Sequence, residues 1–60
     1  SPGFNKPVFA KFRESISLRA RAAEAFVEGV RQNDDAKMQE HHRLLEQANT
    51  LIEQLNQENN

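Results

Sequence analysis

The apolar residues of this chain form two seven-residue repeats that are out of register with each other at residues 33–35, Asn-Asp-Asp. Each repeat alternates three- and four-residue spacings, which places its members on one face of an α-helix, as in a coiled coil. The first repeat consists of Phe9, Phe12, Ile16, Ala23, Phe26 and Val30. The second consists of Met38, His41, Leu45, Ala48, Ile52 and Leu55. Continuing the first repeat would bury the charged residues Lys37 and Glu40, so the chain is expected to turn instead.

The two repeats predict an all-α fold, an antiparallel helical hairpin with helices over 7–32 and 35–56 and a turn at 33–35. Asn33 suits the left-handed conformation that closes a helix. Asp34 or Asp35 can cap the second helix, where a negative charge also complements the helix dipole.

The ends of the chain are expected to lie outside the folded part. Residues 1–6 are interpreted as a flexible segment or a cloning remnant, 7–56 as the hairpin domain, and 57–60 as a frayed polar tail. Asn5 can cap the first helix, and Pro7 falls in its first turn, where the missing N–H does no harm.

Ser15 and Ser17 interrupt the first helix with residues that prefer helix caps. A break near 15–17 would give a three-helix bundle, which stays open as an alternative. Gly29 would let another backbone approach closely.

A chain of 60 residues buries a small core, and without cysteine it has no disulfide to support that core. Such a small core is therefore expected to gain stability from oligomerisation or from a bound protein. The apolar faces are also broader than a two-helix hairpin requires, which marks them as interaction surfaces, whereas Leu18 lies off the main stripe and is expected to be exposed. The predicted interface comprises Phe9, Phe12, Ile16, Ala20, Ala23, Phe26, Val27, Val30, Met38, His41, Leu44, Leu45, Ala48, Leu51, Ile52 and Leu55.

Charge is divided between the two halves of the chain. Residues 1–32 carry six basic and three acidic side chains, whereas residues 33–60 carry two basic and six acidic ones. Packing the two helices together would bring opposite charges close and select their orientation.

These features predict a protein–protein interaction module that self-associates, with a dimer completing a four-helix bundle. The alternative is a monomeric adaptor hairpin whose apolar face binds a different protein, for example a small GTPase or a trafficking factor. The expected partner is therefore a second copy of the chain or, failing that, a helical protein. A third interpretation, nucleic-acid binding through the basic first helix, is weakened because acidic residues interleave with the basic ones. Nucleic acid is therefore not the expected partner.

No catalytic, cofactor or metal site is expected, and the chain is not predicted to be an enzyme. His41 and His42 are adjacent, so on a helix they point about 100° apart and cannot share one metal. No run of about 18 apolar residues could span a membrane. The absence of cysteine favours an intracellular protein.

The segment 22–55 resembles, in general form, the helical hairpins of tetratricopeptide units, of microtubule-interacting-and-transport domains and of the GTPase-binding hairpins of endosomal adaptors. None of their signature residues matches position by position, so the resemblance implies a shape and no functional site.

Overall fold

A computed structural model describes residues 6–58, which form two helices packed against each other as an antiparallel hairpin. Helix α1 spans Lys6–Gln32 and helix α2 spans Asp35–Glu58. No strand occurs in residues 6–58. The predicted hairpin is confirmed, although α2 continues two residues beyond the predicted end, to Glu58. The expected cap at Asn5 lies outside the described residues.

The turn is built by two consecutive helix-capping motifs. Asn33 adopts the left-handed conformation, with φ of 50°. Its N–H donates to the Val30 carbonyl (3.4 Å) and that of Asp34 donates to the Gly29 carbonyl (2.9 Å), the Schellman pattern that closes a helix. Asp34 then caps α2, because its Oδ1 accepts hydrogen bonds from the backbone N–H groups of Ala36 (3.0 Å) and Lys37 (3.4 Å).

Replacing Asp34 with alanine is therefore expected to lower the free energy of unfolding by about 1 kcal/mol, the usual contribution of an N-cap side chain. Asp35→Ala is the matched control, since it removes a neighbouring carboxylate from the first turn without removing the cap. Chemical denaturation of both variants at one protein concentration measures the difference. Equal effects would show that the charge, and not the hydrogen bonds of Asp34, is what stabilises α2.

Helix α1 runs without a break through Ser15 and Ser17, so the three-helix alternative is wrong. Ser15 is almost fully buried, at 1% exposed, and faces α2. A serine side chain is small enough for that position, and the helical hydrogen bonds on both sides of it continue.

The seam between the helices uses a face of α1 that the sequence analysis did not select. Its buried residues follow their own three- and four-residue spacing, with small side chains at all positions but one. They are Ser15, Leu18, Ala22, Ala25 and Gly29. On α2 the buried residues are Leu44, Ala48 and Leu55.

One exposure prediction for α1 is corrected by this seam. Leu18 is 7% exposed and belongs to the core with Leu44, contrary to the expectation that it faces solvent. Gly29 allows the close approach expected of it: an added Cβ would lie 2.7 Å from the Met38 sulfur. Small residues on α1 bring the two helix axes together, so the large side chains of α2 fill the spaces between them.

Two ion pairs join the helices near the two ends of the hairpin. Lys11 contacts Glu58 at 2.6 Å, and Lys37 contacts Glu28 at 3.4 Å. All four side chains remain partly exposed, so each pair contributes no more than about 1 kcal/mol and mainly favours one alignment of the helices.

Candidate protein interaction face

One broad side of the hairpin is apolar and open to solvent. Its largest side chains come from α1 and are about half exposed: Phe9 (45%), Phe12 (49%), Ile16 (54%), Phe26 (45%), Val27 (50%) and Val30 (61%). Exposed Ala23 lies in the same stripe. Helix α2 contributes four half-buried residues to this side, which share one face of that helix: Met38, His41, Leu45 and Ile52. We refer to these residues together as the apolar face.

The first apolar repeat therefore lies on the apolar face and not in the seam between the helices, where its coiled-coil spacing would place it. Ile16, Ala23, Phe26 and Val30 each follow a buried seam residue by one position, as Ala23 follows Ala22, and one position is a rotation of about 100° on a helix. A helix in a two-helix hairpin can turn only one such face to its neighbour. In α1 that face is the one with small side chains, so the phenylalanines point away from α2.

His41 lies at the boundary between the seam and the apolar face. Its Nδ1 donates to the Ala22 carbonyl at 2.8 Å across the hairpin, which places the proton on that nitrogen. Its ring contacts those of Phe26 and His42, with centroids 5.1 Å apart in both pairs. His41 is half-buried beside the seam and His42 is exposed, as their positions on the second repeat predict.

Two arginines lie among the apolar side chains of α1. Arg13 stacks over the Phe9 ring at 5.5 Å, a cation–π contact. Arg19 occupies the place in the first repeat between Ile16 and Ala23, and its guanidinium donates to Asn49 Oδ1 at 3.1 Å. Arg19 is absent from the predicted interface because the repeat was defined by apolar residues only. An unbroken three- and four-residue count from Phe9 to Val30 would have found it.

The other predicted interface residues are distributed over the rest of the hairpin. Leu44, Ala48 and Leu55 are buried in the seam, Leu51 is half-buried next to it, and Ala20 is exposed on α1. Leu51 lies on the side opposite the apolar face, where it lines a shallow open depression of about 520 Å³ with Leu18 and five polar residues, Glu14, Arg43, Glu46, Gln47 and Thr50. This second side is therefore predominantly polar.

Residues 6–58 hold no group of three or more His, Cys, Asp or Glu side chains placed to bind a metal ion. Neither α1 nor α2 is long and apolar enough to cross a membrane. No protein-family model matches the chain, and no curated protein or solved structure shows significant similarity to it. The physical character of the apolar face is thus the basis for assigning a function.

Proposed function

We propose that this hairpin is a protein–protein interaction module that self-associates through the apolar face, two copies packing face to face into a four-helix bundle. The observation that carries the proposal is that Phe9, Phe12 and Phe26, all the phenylalanines of residues 6–58, are between 45% and 49% exposed, whereas the buried apolar side chains of these residues are all leucine or alanine. The largest apolar groups of this chain thus lie where a partner can reach them.

The exposed area supports a specific interface. A whole phenylalanine side chain contributes roughly 200 Å², so three that are half exposed leave about 300 Å² of aromatic surface on one copy. Ile16, Val27 and Val30 extend the same stripe. Continuous apolar patches of this size mark interaction sites in soluble proteins, and two copies would together approach the lower end of the roughly 1,200–2,000 Å² buried in stable complexes.

A small core gives the hairpin a reason to associate. Three leucines and three alanines make up the buried apolar residues of 6–58. Burial contributes about 25 cal/mol per Å², so covering the phenylalanines adds stabilisation that the two helices do not obtain from each other. Folding and association would then be linked, and the folded fraction would rise with protein concentration.

Sedimentation equilibrium over a hundredfold concentration range tests the proposal. The parent chain is expected to form a dimer, and Phe12→Asp with Ile16→Asp is expected to give a monomer because two charges would enter the interface. The matched control is Gln47→Asp with Thr50→Asp, which adds the same charge on the polar side of α2 and should leave the dimer intact. A folded monomeric parent chain at every concentration would overturn self-association and favour the adaptor hairpin that binds a different protein.

A further inference from the structure

Resting on the proposed self-association, we infer that the two copies pack with their turns at the same end of the bundle, so that α1 of each copy lies against α2 of the other. Two hairpins can place their apolar faces together around a two-fold axis in two ways. An axis along the helices keeps both turns at one end, whereas an axis across them puts the turns at opposite ends and pairs α1 with α1 and α2 with α2. The positions of the charged residues distinguish these two dimer arrangements.

Arg19 is the first discriminating residue. It lies halfway along α1, with thirteen residues before it and thirteen after it in Lys6–Gln32, and it stands in the apolar stripe itself. Pairing α1 with α1 around a crosswise axis would bring Arg19 against Arg19 of the second copy. Like charges placed opposite each other in an interface disfavour it.

The lengthwise axis removes this conflict. The contacts Lys11 to Glu58, Arg19 to Asn49 and Phe26 to His41 show which residues of α1 and α2 lie at the same height in one hairpin. A lengthwise two-fold axis keeps those heights, so Arg19 would lie level with Asn49 of the second copy. Glu53 is exposed and lies four residues after Asn49, one helical turn further along the same side of α2.

The same alignment matches two more arginines with acidic residues. Arg13 and Arg31 are exposed and lie at the edge of the apolar stripe of α1. At the corresponding heights the outer edge of α2 carries Glu53 and Asp35, which are also exposed. The three arginines along α1 of one copy would thus lie near Glu53 and Asp35 along α2 of the other, and symmetry repeats the set. This complementarity, and not the apolar area, selects the same-end arrangement.

Distances between spin labels test the arrangement directly. Gln32 and Gln57 are exposed residues at the turn and at the open end, so each is changed to cysteine in a separate variant and labelled with a nitroxide. In a same-end dimer the two labels on equivalent sites lie within about 30 Å, for either variant. In an opposite-end dimer centred on Arg19 the Gln32 labels are separated by about 40 Å, because Gln32 lies thirteen residues from Arg19 in each copy. The Gln57 labels remain closer than that in both arrangements, so the Gln32 variant decides the test and the Gln57 variant controls for the labelling. Long distances in a dimer overturn this inference alone, and a monomer in sedimentation overturns the proposed function together with it.

A charge exchange provides an independent readout. Arg19→Glu is expected to weaken the dimer at least roughly tenfold, because the new carboxylate would lie near Glu53 of the second copy. Arg21→Glu is the matched control, since Arg21 lies on the other side of the hairpin beside Glu24 and Glu40. Adding Glu53→Arg to Arg19→Glu is expected to recover most of the loss. An unchanged dimer in Arg19→Glu, with no gain from the second substitution, contradicts the arrangement.

Discussion

Replacing Leu44 with alanine is expected to lower the free energy of unfolding by about 2–5 kcal/mol, enough to unfold most of the hairpin. Leu44 is 1% exposed and packs with Leu18, Ala22 and Ala48 in the core cluster. Its truncation leaves a cavity. The neighbouring alanines cannot fill this cavity, because their side chains are too short to move into it. A chain of 60 residues has only a few kcal/mol of stability to lose.

Leu45→Ala is the matched control for this prediction, since it deletes the same atoms at the next residue. Leu45 is half-buried and belongs to the apolar face, so its truncation is expected to destabilise the isolated hairpin less and to weaken association instead. Helix content followed by circular dichroism during urea unfolding, at one fixed protein concentration, separates the two variants. A Leu45→Ala midpoint below that of Leu44→Ala would mean that α2 is rotated relative to the structure described here.

Enlarging Ala22 to leucine is expected to lower the free energy of unfolding by roughly 1–3 kcal/mol. Ala22 is fully buried, and its carbonyl accepts the hydrogen bond from His41 across the seam. A leucine there would push α2 away, which would lengthen that hydrogen bond and open the contacts around Leu18 and Leu44. Leucine has a helix propensity similar to that of alanine, so the loss would report on packing and not on helix formation.

Ala23→Leu provides the corresponding control on the adjacent residue. Ala23 is exposed in the apolar stripe, so a leucine at this position adds apolar surface without entering the seam. The hairpin is expected to fold as before. Thermal unfolding of both variants decides which face of α1 meets α2. If Ala23→Leu destabilised the hairpin and Ala22→Leu did not, the phenylalanine stripe would be the true seam.

Much of the candidate interface follows from apolar periodicity alone. Phe12, Ile16 and Phe26 are predicted interface residues, and all three lie on the open apolar face. Periodicity does not say whether such a residue meets the other helix of its own chain or remains exposed. For that reason the predicted set also includes residues that the hairpin uses internally, such as Leu44.

The amino-acid sequence determines the helices and their turn because those features depend on neighbouring residues. Asn33 takes the left-handed conformation and Asp34 caps α2 through bonds that span at most five residues, so both could be predicted without any knowledge of the rest of the molecule. The rotation of α1 about its own axis is different. Two stripes of equal helical period run along this helix, and hydrophobicity favours the one with phenylalanines. Only packing against α2 decides between the two stripes, because the small residues Ala22, Ala25 and Gly29 let the two helices approach closely. The distance between the two helix axes cannot be predicted from the residues of α1 alone.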